Sequence, residues 1–294
     1  MNSFNLWRLE SNSAYRLVQL AGGAYSVRSL AHHETFHPVI GPAAEAEALY
    51  VKQLRLRERL RDHSGPFVIW DVGLGAAANP LTVIRSVCDL PSRVEILSFD
   101  QTLEPLRFAL GHTDKLTYLR GYEPQLDELA TRGGVTFKLG KSEISWRVIV
   151  EDFPSLVQGE TANNWPKAHA ILFDAFSPAK NPAMWTQPLF ARIFELLDPA
   201  RECAMPTYSR STMLRVSLLL AGFFVGAGHA TGEKEETTIA ANCMELLDEP
   251  LDASWLKRAR QSTSAEPLWE PIYRQARLSA ETVVRLESHP QFRA

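Results

Sequence analysis

Acidic side chains at the ends of apolar runs are the residues best placed to do chemistry in this 294-residue chain. Asp174 is reached by Ile171-Leu172-Phe173 and followed by the loop Ala175-Phe176-Ser177-Pro178-Ala179-Lys180-Asn181-Pro182. A short apolar run closed by a proline-bearing loop predicts a buried parallel strand. Its carboxylate then stands at the carboxyl edge of the sheet, where open α/β folds bind ligands. There Asp174 faces a crevice, with Phe176 and Pro178 as apolar walls and Lys180 as a mobile cation. The other reading is a strand end capped by an aspartate-initiated turn. Asp71 lies in a second such run, Phe67-Val68-Ile69-Trp70-Asp71-Val72, which leads into Gly73-Leu74-Gly75 and then a helical pattern. Glycines between strand and helix bring backbone N–H groups and a helix N-terminus close to a ligand. Asp100 closes the next strand, 27 residues past Gly73, slightly further than the roughly 20 usual for a carboxylate that binds a ribose diol. Asp152-Phe153 pairs a carboxylate suited to an exocyclic amine with a ring suited to a base face. It serves equally as a helix N-cap before Pro154-Ser155-Leu156-Val157.

These residues need a sheet to hold them, and the rest of the chain provides one. Apolar runs at 67–72, 94–100, 147–150, 171–173 and 203–205 alternate with helical spacing at 81–88, 101–111, 188–197 and 213–221. Such alternation predicts an α/β fold built on a mostly parallel sheet. Phe223 to Gly226 and Thr237 to Asn242 read as strands of an antiparallel end, and Gly140-Lys141 as the turn of a hairpin over 133–150. Before the core, Met1 to Val27 suggests short strands around Ala21-Gly22-Gly23, a small N-terminal β extension. The loop Glu34 to Pro42 then feeds a helix from Ala43 to about Leu60. Its Lys52, Arg55, Arg57, Arg59 and Arg61 read first as a solvated face and second as phosphate contacts. The expected division is 1–60 packed on the core, 61–245 as the main domain, and 246–294 as a helical tail.

Bulk composition narrows the function classes. A 45% apolar chain of this length can bury a large core. Its formal charge of −3 demands no polyanionic partner, so nucleic-acid binding would need positive charge gathered locally. No apolar run approaches the roughly 18 residues that span a bilayer, and no signal-peptide pattern opens the chain, so a cytoplasmic protein with no membrane contact is expected. Cys88, Cys203 and Cys243 show neither metal-ligand spacing nor a disulfide framework, so no metal is expected. No feature specifies an oligomeric state.

The combination of Glu34-Thr35-Phe36-His37-x-x-x-Gly41, Glu45-Ala46-Glu47-Ala48-Leu49-Tyr50-Val51, Asp71-Val72-Gly73-Leu74-Gly75 and Asp174-Ala175-Phe176-Ser177-Pro178-Ala179-Lys180-Asn181-Pro182-x-x-Trp185 resembles the methyltransferase domain of MnmC. Thr207-Tyr208, Arg215 and Gly232-x-Lys234-x-Glu236 extend the likeness, which spans roughly 24–240. The resemblance implies a Rossmann-like class I methyltransferase using S-adenosylmethionine to finish a wobble-uridine modification in tRNA. It implies a cofactor site at Asp71, Gly73, Gly75, Asp100, Asp152 and Phe153, with Asp174 catalytic. It further implies that Phe176 and Tyr208 sandwich a flipped base, with Pro178 and His37 beside it, and that Lys180 and Lys234 meet phosphates.

Two departures carry expectations of their own. The family's Gly-x-Gly-Thr-Gly-x-Asn-Phe is here Gly73-Leu74-Gly75-Ala76-Ala77-Ala78-Asn79-Pro80, so the Ala77 methyl is expected to crowd the cofactor. The stretch Glu233-Lys234-Glu235-Glu236 is more acidic than the family's lysine- and arginine-rich version. With the sequence ending at Ala294, no flavin-binding oxidase half is expected. Two other functions fit the residues: a methyltransferase or spermidine-synthase-type aminopropyltransferase acting on a small amine, and a non-catalytic relative that binds without turnover.

Overall fold

The computed structural model describes residues 14–232 and 235–293. It begins with an antiparallel sheet of three short strands, β1 (Tyr15–Gln19), β2 (Tyr25–Ser29) and β3 (Glu34–Thr35). Next come α1 (Pro42–Ala46), a π-helical stretch (Glu47–Lys52) and α2 (Leu56–Arg61). The single helix expected from Ala43 to Leu60 is therefore broken. The wider π turns carry Leu49, Tyr50 and Val51 into the core together. Arg55 then adopts φ 48°, a left-handed conformation that ends one helical path and starts another. The arginines of this region hold the chain together. Arg57 forks onto Asp89 at 2.7 and 2.8 Å, and Arg59 donates to the carbonyls of His169 and Glu202.

The main sheet follows from β4 (Pro66–Val72), α3 (Ala78–Val87), β5 (Arg93–Asp100), α4 (Glu104–Leu110), α5 (Glu123–Arg132), β6 (Gly134–Leu139), β7 (Ser142–Val150), α6 (Phe153–Gln158) and β8 (Ala170–Phe173). It is completed by α7 (Gln187–Leu196), β9 (Ala204–Thr207), α8 (Thr212–Ala221), β10 (Phe224–Gly228) and β11 (Thr237–Ala241), with α9 (Ala253–Gln261) and α10 (Ala280–Glu287) in the tail. The strand order is β10-β11-β9-β8-β4-β5-β7-β6. The five strands from β9 to β7 are parallel, and β11, between β9 and β10, supplies the antiparallel end. The Gly140-Lys141 hairpin is present as β6 and β7. Helix α5 has no counterpart in the sequence reading, although Leu126, Leu129 and Ala130 form its inner face and Gly133 closes it at φ 75°.

Covered on both faces, β4 and β8 are apolar almost throughout, as parallel central strands must be. Ile69, Ile96 and Leu172 face α3, α4 and α5, whereas Trp70, Phe99 and Phe173 face α6, α7 and α8. The tail packs on this second face through Trp255, Leu256, Leu268 and Leu286. The registers Val72↔Phe99 and Val72↔Phe173 bring the carboxyl ends of β4, β5 and β8 to one edge.

Candidate functional site

A cavity of about 500 Å³ opens at that edge, within the size range of small-molecule sites. Its floor is the turn after β4. Gly73 has φ 93°, and a Cβ there would collide with the Asp174 carbonyl oxygen, so only glycine lets the two strand ends meet. Gly75 (φ 52°) donates its N–H to Asp100 Oδ2 at 2.8 Å and leaves room for the Phe36 ring. Burial raises the Asp100 carboxyl above its usual range, partly offset by backbone N–H bonds from Gly75, Thr102 and Gln101. Gly73, Gly75, Asp100 and Phe153 all line the cavity, toward β5 and α6.

On the other side of Gly73, beside the first turn of α3, stands Asp174. Its Oδ2 accepts from Asn79 Nδ2 at 2.8 Å and lies 3.6 Å from His37 Nε2, with both side chains largely buried. Glu34 and Glu45 also line this side. Glu34 receives the Ser177 N–H at 3.1 Å and its hydroxyl as well, tying β3 to the Asp174 loop. Aromatic rings flank the carboxylates: Phe176 stacks on His32 at 4.1 Å with 16° between planes, and Phe36 lies 5.6 Å from Phe176.

Several expected site residues occupy other positions. Asp71 is fully buried beneath the cavity and does not line it; Ser98 Oγ donates to its Oδ2 at 2.7 Å. Burial, opposed by that hydrogen bond and reinforced by the charges of Asp174 and Asp100, pushes its carboxyl up to about 7. Asp152 is the N-cap of α6, accepting from Ser155 N and Oγ at 3.1 and 2.6 Å, and from Gln101 Nε2 at 2.6 Å. Desolvation raises its carboxyl, but the hydrogen bonds from Ser155 and Gln101 prevail and hold it below the usual range. Gln101, not Asp152, reaches the cavity. Tyr208 lines it together with Phe176; its hydroxyl donates to the Ala175 carbonyl at 3.0 Å and its ring sits edge-on to Trp185. Pro178 and exposed Lys180 lie outside the lining, and Lys234 falls outside the described residues. Ala77 does not crowd the cavity: it caps α3 at φ 62° with its methyl buried in the core.

Glu34, Glu45, Asn79, His32 and Phe36 were not among the expected site residues. The only prior sign of Glu34, Phe36, Glu45 and Asn79 was their place in the stretches 34–41, 45–51 and 73–80; His32 falls in none of them. Their convergence depends on folding the N-terminal sheet over the edge, which no local pattern specifies. Among the described residues, no cluster of histidine, cysteine or acidic side chains could hold a metal ion.

Comparison with known proteins agrees with this architecture. Residues 125–243 match the family described as "S-adenosyl-L-methionine-dependent methyltransferase". The chain is 29% identical over 210 residues to the tRNA 5-methylaminomethyl-2-thiouridine biosynthesis bifunctional protein MnmC of Burkholderia mallei strain SAVP1, covering 67% of this chain and 31% of that protein. Identity to the corresponding protein of Burkholderia pseudomallei strain K96243 is 27% over 213 residues, with the same coverage. The match therefore spans about a third of the length of these relatives. Among solved structures, MNMC2 from Aquifex aeolicus superposes with a TM-score of 0.68 at 23% identity, covering 94% of this chain and 83% of that one. A spermidine synthase bound to the transition-state analogue AdoDATO gives 0.50 at 9% identity, covering 94% and 82%. Both likenesses concern the fold alone.

Proposed function

We propose, from the premise that this chain is an S-adenosyl-L-methionine-dependent methyltransferase related to the methyltransferase region of MnmC, that it N-methylates the aminomethyl group of wobble 5-aminomethyl-2-thiouridine in tRNA. The observation that carries this reading is the make-up of the acceptor end of the cavity: Asp174, Glu34 and Glu45 beside the rings of Phe176 and Phe36. Carboxylates suit a group that arrives as an ammonium, and flat rings suit a base that carries it. The 71–77 turn and the start of α3 would hold the methionine part of the cofactor. Asp100 would take the ribose hydroxyls and Phe153 the adenine face, with Gln101, held by Asp152, beside it. Asp174 would orient the amine for in-line attack on the activated methyl. Lys180 and Lys234 would meet phosphates, Pro178 would border the entry, and Tyr208 would support the Asp174 loop from below. A tRNA substrate also makes the cytoplasm the expected location. Among the described residues no helix is long and apolar enough to cross a membrane.

A small polyamine acceptor is the second reading, favoured by the formal charge of −3. Methyl transfer to tRNA bearing the aminomethyl arm, with free spermidine as the competing acceptor, decides between them. Nucleoside mass spectrometry of tRNA from a strain lacking the gene should show unmethylated precursor accumulating. Normal methylated wobble uridine in that strain, with transfer only to the polyamine in vitro, would overturn the tRNA reading. Asp100→Ala should weaken S-adenosylhomocysteine binding by about 1–3 kcal/mol, because the ribose loses a charged acceptor. Unchanged calorimetric affinity would remove Asp100 from the site.

A further inference from the structure

We propose that His37 is the proton acceptor of the reaction, working with Asp174 as a two-residue site for the acceptor nitrogen; this role rests on the amine reading above. His37 Nε2 and Asp174 Oδ2 are 3.6 Å apart, too far for a mutual hydrogen bond. They are close enough for one nitrogen to sit about 2.8 Å from both, the usual length of a charge-assisted contact. Asn79 fixes the carboxylate oxygen from one side. The imidazole is placed from the other by a backbone at φ 48°, a left-handed conformation that histidine adopts more readily than most residues. The chain therefore builds a strained turn at the point where a ring nitrogen meets the carboxylate.

The chemistry needs two different groups. An alkyl amine reaches the site as an ammonium, whose lone pair is tied up in an N–H bond. A carboxylate binds that cation well but is a weak base toward it, and an imidazole is the stronger base. His37 Nε2 takes one proton, and Asp174 holds another N–H and so aims the freed lone pair. The nitrogen then forms its bond to the methyl carbon as the C–S bond breaks, and that electron pair stays on sulfur as the thioether. The product leaves as a secondary ammonium, and His37 later gives its proton to solvent. One ammonium and one sulfonium thus become one ammonium, one neutral thioether and one released proton. The charged or titratable groups that line the cavity with this pair are Glu34, Glu45 and Tyr208, then His32, His33, Arg28, Tyr15 and Asp100, with Asp71 and Tyr50 buried behind.

His37→Asn removes the base but keeps a residue tolerant of the left-handed backbone. It should lower turnover roughly 10²-fold or more and abolish the acidic limb of the turnover–pH profile. Calorimetry should still find S-adenosylhomocysteine and the aminomethyl tRNA bound within about threefold of wild type, which also reports a folded variant. His37→Gly should recover activity when imidazole is added. A His37→Asn enzyme with wild-type turnover and pH profile overturns the role. So does a loss equal at every pH that imidazole does not rescue. Wild-type protein that methylates neither aminomethyl tRNA nor spermidine overturns the amine reading itself, and this role with it.

Discussion

Asp174 and Asp71 are both aspartates at the carboxyl edge of the sheet, yet their surroundings give them opposite tasks. Asp174 faces the cavity with one hydrogen bond from Asn79. Asp174→Asn keeps the size and an oxygen for Asn79 but loses the charge. Cofactor affinity should remain near normal while turnover falls on the order of 10²–10⁴-fold; full turnover in a single-turnover assay would refute the role. Asp71 is buried, and one of its oxygens has no hydrogen-bond partner. Its carboxyl is raised from 3.8 to about 7, so the folded state binds this proton more tightly than the unfolded chain does. The sign follows: its contribution to stability is complete below about pH 4 and is lost as pH rises through about 7, amounting to on the order of 4 kcal/mol. Asp71→Asn removes this dependence at a fixed cost for a buried amide donor left unpaired. The melting temperature of the variant minus that of wild type should therefore climb between pH 4 and 8. A difference that stays flat with pH would show that Asp71 does not titrate there.

The elements show why some of this was legible beforehand and some was not. Strand β8 and the loop after it could be read because four apolar residues in a row have little choice but a central strand, and prolines stop it at Asp174. The turn after β4 was legible in type, since strand, glycines and helix occur in order. The consequence of its altered third position was not. Spacing alone left Ala77 facing the ligand, whereas its φ of 62° turns the methyl into the core. Asp152 illustrates the same limit. Its sequence supported a cap and a ligand contact equally, and the Ser155 bonds made it a cap. The helix from Ala43 to Leu60 failed because its period holds only until the π turns, which repack Tyr50 against the sheet. Ala77→Gly tests the turn directly. Relief of a left-handed alanine is worth about 1–2 kcal/mol, and loss of its buried methyl costs about 1 kcal/mol plus backbone entropy. Stability should thus change by no more than about 1 kcal/mol, with cofactor affinity unchanged. Tighter cofactor binding in the glycine variant would put the methyl back in the cavity.

At the scale of the whole molecule, the cavity has two halves with separate origins. The parallel sheet alone supplies the Gly73–Gly75 turn, Asp100 and Phe153. The opposite half draws Glu34, Phe36 and His37 from the N-terminal sheet and its loop, Glu45 from α1, and Asp174 and Phe176 from the β8 loop. The first and last of these groups are joined by the paired hydrogen bonds from Ser177 to Glu34, alongside the stacking of Phe176 on His32. If the halves serve cofactor and acceptor respectively, breaking this connection should separate the two bindings. Ser177→Ala keeps the backbone N–H bond and removes the hydroxyl; Glu34→Gln keeps the shape and removes the charge. Each should raise the acceptor KM by about 5- to 30-fold, the effect of losing one hydrogen bond to a charged group, about 1–2 kcal/mol. Because the residues share one contact, the double variant should cost less than the sum of the two single changes. Throughout, the dissociation constant of S-adenosylhomocysteine should stay within about twofold, since the pair's hydrogen bonds join β3 to the Asp174 loop and not to the Gly73–Gly75 turn. Equal weakening of cofactor and acceptor would mean that the N-terminal sheet supports the whole cavity, and additive single effects would mean that Glu34 and Ser177 act apart.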